Sequence, residues 1–390
     1  MAATRRPFSL YVHIPYCIKK CPYCDFNVHV ARVLPEREYT QALIHELASY
    51  AESSGWYGRY LKSIFFGGGT PSMFAPESIG RVIDEAARLF PFADKIEISV
   101  EANPEAEDCA RFPGYRSNGV NRISIGAQSF QPRLLKTLGR LHTVDETRHA
   151  LANALEVGFA IVSLDLIYAI PGQSLSELEE DLNIALGSGV HHLSAYGLTF
   201  EERTPFYRDL HAGKIKALPE ETEVAMAELV EKTASDNGFE RYEISNYARP
   251  GFRSRHNRNY WNAGDYLGIG AGAHSYMQVD GAAGEWGLRW QNERSPRRYM
   301  EAIGHMGHAV CVRESLDMLR AAGEYMFLGL RMTEGVSADR FAQRFGQTLD
   351  EFYPLIDQLC ADGLLEKSGM RVRLTSRGLL VANSVFVNFV

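Results

Sequence analysis

The sequence predicts an α/β protein: a parallel sheet with helices outside fills the first half, and a helical unit closes the chain. Three observations carry this. Strand-like and helix-like segments alternate six times by residue 200, the pattern of βα units. Helices return from about residue 316 and enclose a short hairpin around Gly369. Three cysteines stand directly after the first strand, at the end of a parallel sheet where functional groups gather.

The first strand, 8–14, alternates Phe8, Leu10, Val12 and Ile14 with period two. Pro15 ends it and turns the chain into the cysteine loop. Residues 36–52 place apolar side chains at 39, 43, 44 and 47, one helical face. Further strands are expected at 62–66, 95–101, 121–126, 161–168 and 192–198, with helices at 76–89, 144–157 and 174–187. Periodicity leaves open whether six units form a partial barrel or part of a closed one. After about residue 200 the pattern changes. A helix is expected at 221–237 and an extended segment at 239–247, while 260–290 is rich in glycine and aromatics without a clear period. Helices are expected at 316–331, 337–345 and 348–362, followed by a hairpin (364–366, 372–374) and a last helix. This suggests a winged-helix-like end domain and a division into 1–215, 216–310 and 311–390. Such domains often bind DNA. The net charge of −7 disfavours that here, and a packing module is expected.

Hydrophobic content of 45% and charged content of 23% are those of a globular protein. No apolar run approaches a membrane span, and Met1 to Arg6 carry no apolar h-region, so a frayed tail and a cytoplasmic protein are expected. Six cysteines without a secretory signal argue against disulfides, and the isolated Cys109, Cys311 and Cys360 are expected to be buried thiols.

Cys17, Cys21 and Cys24 form C-x3-C-x2-C. A structural zinc site wants four ligands, and no second cysteine pair exists. A [4Fe–4S] cube usually takes four thiolates too, but three leave one iron open to a substrate. Gly67-Gly68-Gly69-Thr70-Pro71 follows the second strand without the Gly-Lys-Ser/Thr of a P-loop. Alone it is a turn. Next to a cluster loop, its backbone suits the amino or carboxylate end of a small ligand. Glu101, Gln128 and Asp165 fall at or in successive strands, where an acid is costly unless paired or liganded. Arg140 can supply a carboxylate-binding fork.

With these features the chain resembles the radical S-adenosylmethionine (SAM) superfamily. The resemblance implies a partial (β/α)6 barrel, with Cys17, Cys21 and Cys24 holding a [4Fe–4S] cluster whose open iron chelates SAM. It narrows to the branch of oxygen-independent coproporphyrinogen III oxidase through Ser9-Leu-Tyr-Val-His-Ile-Pro15, Arg122-Ile-Ser-Ile-Gly-Ala-Gln-Ser-Phe130 and Leu164-Asp-Leu-Ile-Tyr168. It then implies Tyr11, Gly68 and Glu101 for the cluster-bound SAM. Gly69, Thr70, Gln128, Arg140 and Asp165 would serve a second SAM, and Tyr23 would lie beside the adenine. Two departures count against the oxidase itself: Phe26 stands where its motif has a fourth cysteine, and it carries a longer N-terminal segment.

His256-Asn257-Arg258-Asn259-Tyr260-Trp261 matches the H-N-x-x-Y-W signature of the HemW haem-chaperone family. The chemistry suits haem: an imidazole can ligate its iron, and Tyr260 and Trp261 offer flat faces. Read without the resemblance, the run is a polar turn before a core Tyr–Trp pair. His13 is expected to be a structural hydrogen-bonding group. The resemblance implies a chaperone that passes haem to haem-requiring proteins such as respiratory cytochromes, at or away from the membrane surface. It also implies a reductant for the cluster and allows a homodimer. No nucleic-acid partner is expected. The alternatives are the oxidase and a class C radical SAM methyltransferase, against which the His256–Trp261 run speaks. A tRNA-modifying enzyme is more distant, since no basic RNA-binding appendage is visible.

Overall fold

Six strands stand side by side and parallel in the computed structural model, which describes residues 6–53, 55–281 and 283–389. They are β1 (Pro7–Ile14), β2 (Tyr60–Gly68), β3 (Phe92–Ala102), β4 (Arg122–Gln128), β5 (Ile161–Tyr168) and β6 (His192–Gly197). Each covers a segment that the alternation predicts. Of the frayed tail expected at Met1 to Arg6, residues 1–5 lie outside the described residues. Helices α1 (Glu36–Ala51), α2 (Pro76–Leu89), α3 (Val144–Val157) and α4 (Leu175–Gly187) connect the strands. The last two begin at capping boxes, Thr143 with Glu146 and Ser174 with Glu177, which satisfy the first free N–H groups. In β1 the register of Phe8, Leu10, Val12 and Ile14 is fully buried, and the alternate register carries Ser9, Tyr11 and His13. That second register is the inner wall.

The sheet does not close. Strand β6 is followed laterally by an antiparallel hairpin, β7 (Glu240–Glu243) and β8 (Asn246–Ala248), with β8 against β6. On the far side β9 (Tyr266–Ile269) runs parallel to β1, and β10 (His274–Gln278), β11 (Gly287–Asn292) and β12 (Val310–Leu316) continue antiparallel. The result is one twelve-stranded sheet whose edges, β12 and β7, do not pair: a partial barrel.

Strands β9, β10 and β11 all begin within 260–290, where no period is legible, because each is only four to six residues long. Glu46 of α1 bolts this region down. Its buried carboxylate accepts from the Gly270 amide (2.9 Å), the Asn292 amide (2.6 Å) and the Tyr299 hydroxyl (2.6 Å). Helix α5 (Glu220–Asp236) lies where expected. The run expected to be a turn is instead a helix, α6 (Arg255–Trp261), and the helices Pro205–His211 and α7 (Pro296–Met306) have no counterpart in the sequence reading.

The C-terminal unit has its own core around Leu330, Phe341, Phe345, Ile356 and Val385, joined by Tyr276 and Leu316 of the sheet. It contains α8 (Met318–Leu330), α9 (Ala338–Phe345) and a small sheet. In that sheet β13 (Val336–Ser337) pairs with the hairpin β14 (Leu365–Ser368) and β15 (Arg371–Leu374). The helix expected at 348–362 is broken into Leu349–Phe352 and Leu355–Ala361, because Pro354 cannot continue a hydrogen-bonded turn. Of the isolated cysteines Cys109 is buried, whereas Cys360 is half-buried and Cys311 is exposed on β12, correcting the expectation for the latter two. No helix among the described residues is long and apolar enough to cross a membrane.

Candidate functional site at the mouth of the barrel

The cysteine loop is held over the C-terminal ends of β1 and β2 by backbone bonds. The Gly69 amide donates to Ile14 O and the Thr70 amide to Tyr16 O, both at 2.8 Å. Within the loop, the Cys24 amide donates to Cys21 O (3.2 Å) and the Ala31 amide to Cys17 O (3.1 Å). This close crossing explains the glycines. A Cβ on Gly69 would lie 2.5 Å from the Tyr16 carbonyl oxygen, one on Gly68 would strike the His13 ring, and Gly68 adopts φ +117°.

Cys17, Cys21 and Cys24 are free and half-buried. The Thr70 hydroxyl donates to Cys17 Sγ (3.4 Å) and Arg140 Nη1 to Cys21 Sγ (3.7 Å). Arg140 Nη2 donates to Asn103 Oδ1 (2.7 Å) and Gly126 O (3.1 Å), and Asn103 Nδ2 to Thr70 Oγ1 (3.4 Å). One polar chain therefore ties the ends of β2, β3 and β4 to two cysteine sulfurs. Such donors favour thiolate over thiol. Burial pushes the Cys24 thiol up to about 11, and Lys20 works in the opposite direction. Among the described residues no three His, Cys, Asp or Glu side chains converge on a single-ion site. It is the thiol set and its donors, not a preformed cage, that suit a cluster with an open iron.

Below the loop, the Gly68 amide donates to Glu101 Oε2 (3.1 Å). Burial, and then the charge of Asp165, raises the Glu101 carboxyl to about 7. Asp165 is raised by burial and accepts from Ser124 Oγ at 3.1 and 3.2 Å. The Tyr11 hydroxyl meets His13 Nδ1 (2.9 Å), and His13 Nε2 meets Asn27 O (3.0 Å), so His13 has the structural role expected of it. Gln128 sits at φ +67°, a costly conformation, where the β4–β5 register slips. Tyr23 packs toward Phe206, ring centroids 6.3 Å apart, in a satellite apolar cluster. The predicted residues Tyr11, Gly68, Gly69, Thr70, Glu101, Arg140 and Asp165 thus meet at one mouth.

The His256–Trp261 run lies deeper. Ser254 caps α6, and the buried Glu97 carboxylate accepts from the Arg255 (3.2 Å) and His256 (3.0 Å) amides while pairing with Arg122 at 3.6 Å. The start of the helix is therefore tied to Glu97 of β3, and the helix itself packs on β2. His256 is 1% exposed. The Ser63 hydroxyl donates to Ser9 (2.7 Å), so it accepts from His256 Nδ1–H (2.9 Å), and Nε2 accepts from the Tyr260 hydroxyl (2.9 Å). Phe65 stacks on the ring at 5.0 Å. Burial, helped by the Lys62 charge, lowers His256 to about 3.

Trp261 turns the other way, toward the C-terminal unit, with the Arg331 guanidinium 4.4 Å over its ring. Sequence reasoning missed Ser63, Phe65, Glu97, Asn103, Arg122 and Arg331. Glu97 was within reach: like Asp165, it is an acid inside an apolar strand.

The chain matches the radical SAM superfamily model over residues 11–185 and the HemN C-terminal domain model over 318–381. It is 37% identical to the heme chaperone HemW of Bacillus subtilis and 36% identical to that of Escherichia coli, each over 98% of both chains. It is 33% identical to the mitochondrial radical S-adenosyl methionine domain-containing protein 1 of Mus musculus, over 99% of this chain and 87% of that one. Among solved structures, the coproporphyrinogen III oxidase HemN of Escherichia coli, a radical SAM enzyme, superposes with a TM-score of 0.83 at 23% identity, over 99% of this chain and 90% of that one. The fold is thus shared with the oxidase, while the sequence follows the chaperones, and the chain belongs to the HemW family within the radical SAM superfamily.

Proposed function

We propose that this chain binds haem and passes it to haem-requiring proteins, with a [4Fe–4S] cluster and SAM at the barrel mouth. The observation that carries the reading is its kinship with heme chaperones along nearly the whole chain. A cluster with SAM supplies one-electron reductive chemistry when bound. In this reading Cys17, Cys21 and Cys24 are the cluster ligands, and Thr70 and Arg140 support it by donating to their sulfurs. Tyr11, Gly68 and Glu101 would orient the cluster-bound SAM, with Tyr23 beside its adenine. Gly69, Thr70, Gln128, Arg140 and Asp165 would line a second SAM position. Haem would meet Trp261 and Tyr260, and His256 once its Nε2 leaves the Tyr260 hydroxyl, since both ring nitrogens are hydrogen-bonded.

Residues 1–215 would carry the cluster and SAM, 216–310 the haem-facing helix, and 311–390 the cap. Respiratory cytochromes in or at the membrane are the proposed acceptors. A one-electron donor, a homodimer and a cytoplasmic setting complete the reading.

The oxidase is the second reading, favoured by the shared fold. Against it, Phe26 at the fourth-cysteine position is 63% exposed and offers no thiolate. The test is anaerobic reconstitution of the cluster followed by haem titration, with SAM cleavage and coproporphyrinogen turnover assayed in parallel. Haem binding without coproporphyrinogen turnover is expected. Sustained conversion to protoporphyrinogen would move the assignment to the oxidase.

A further inference from the structure

The cleft between the end of α6 and the C-terminal unit is lined by Trp261, Asn262, Tyr325, Met332, Arg340 and Arg371, among others. It is a shallow surface cleft with no enclosed space for a whole ring, so only the edge of a large planar ligand could seat in it. Two features set it apart. The first is charge. Among the described residues neither Arg340 nor Arg371 forms an ion pair; Arg371 Nη1 donates to the Glu334 (3.3 Å) and Gly335 (3.1 Å) carbonyls. The nearby acid Glu334 pairs with Arg258 at 3.0 Å, and Asp339 stands next to Arg340 in the first turn of α9. Two guanidiniums without an acid partner among the described residues thus line one cleft, the Arg340 side chain exposed, on a chain whose net charge is −7. The second feature is the aromatic wall. Arg331 stacks on Trp261 and holds it, and the buried Trp261 indole N–H has no partner among the described residues. Planar apolar surface beside two forked donors is the complement of a flat ring bearing carboxylates.

We propose that this cleft is a carboxylate receptor for the propionate edge of the tetrapyrrole, with Arg340 and Arg371 as the charged donors and Trp261 as the wall. The inference rests on the haem-chaperone reading and adds to it the group by which the cargo is recognised. It locates the acidic edge of the cargo at the C-terminal end of α6, beside Trp261 and Asn262.

The test compares ferric protoporphyrin IX with its dimethyl ester, which keeps the iron and the ring and loses both charges. Each is titrated by absorbance into the full-length reconstituted protein. Wild-type protein should bind the diacid about tenfold more tightly than the diester, a preference that shrinks with added salt. Arg340→Gln should lose part of that preference and Arg340→Gln/Arg371→Gln most of it, with diester affinity and cluster absorption unchanged. Arg340→Gln alone removes no hydrogen bond of the fold, so it remains informative if the double variant misfolds. Haem affinity unchanged in Arg340→Gln and in the double variant, or equal wild-type affinity for diacid and diester, would overturn this inference and leave the chaperone reading intact. A wild-type protein that binds neither ligand overturns both.

Discussion

The barrel mouth and the seat of α6 hold their polar residues in opposite ways. At the mouth, Thr70 after β2 and Arg140 in the loop that follows the helix Pro132–Thr137 aim donors at half-buried cysteine sulfurs, and the set stands open. Around α6, His256 has both nitrogens engaged and almost no exposure, whereas Trp261 faces a cleft with unpaired arginines. The difference teaches that a signature motif is not one set of equivalent contacts. In the run from His256 to Trp261, the histidine and Tyr260 serve the inner wall, Asn259 closes the following turn on Asp265 O (3.0 Å), and Trp261 looks outward.

The largest test of this contrast is at the mouth. Changing Cys17, Cys21 or Cys24 to Ser should abolish the broad iron–sulfur absorption of the reconstituted protein. The same change at Cys109, Cys311 or Cys360 should leave it intact, and loss of the cluster there would reassign the ligands.

His256→Ala should come next in size. It strands the Tyr260 hydroxyl, at a cost of about 1–3 kcal/mol, and takes one of two partners from Ser63, which keeps its bond to Ser9, so chemical denaturation should show a less stable protein. Haem affinity should fall and the Soret band should move, with the cluster spectrum preserved. A weaker fold with an unchanged Soret band would make His256 a positioning residue rather than an iron ligand.

Trp261→Ala should act more mildly. It removes a half-buried wall and the Arg331 stack, so haem binding should weaken while stability changes little. Equal stability losses in His256→Ala and Trp261→Ala would erase the proposed distinction between inward and outward faces.

The smallest expected effect is on pH dependence, where the two regions should show opposite slopes. Glu101 is raised by burial from an ordinary 4.5 to about 7, so the folded state holds the proton more tightly than the unfolded one. Its contribution to stability is complete below pH 4.5 and lost as pH rises through 7. His256 is lowered from 6.5 to about 3, so the unfolded state takes up the proton first. Its contribution is complete above pH 6.5 and lost as pH falls toward 3. Melting curves from pH 4 to 8 should therefore lose part of their alkaline-side decline in Glu101→Gln, the buried Glu46, also raised to about 7, keeping the rest, and part of their acid-side decline in His256→Ala. Unchanged slopes in both would show that neither group governs stability.

Much of the barrel was legible because its signals are local. The alternation of β1, the proline after it and the apolar face of α1 each act within a few residues. Strands β9 to β11 were not legible, since each is short and stabilised by neighbours on either side rather than by its own pattern. The helical form of α6 was not legible for the same reason, and without the resemblance the run read as a turn: its start depends on Glu97, and the hydrogen bond that His256 donates to Ser63 spans 193 positions.

By itself, then, the sequence determined the order of the βα units, the three-thiol loop after β1 and the residue types that suit a cluster and a flat cofactor. The open barrel followed from the resemblance and not from periodicity, and tertiary structure alone decided that the two glycines are required by a crossing of backbones and that His256 and Trp261 face opposite sides of one helix. The physical reason is range. Periodicity, caps and ligand spacing act between neighbours along the chain, whereas burial, partner choice and the direction a side chain faces are set by residues that only folding brings together.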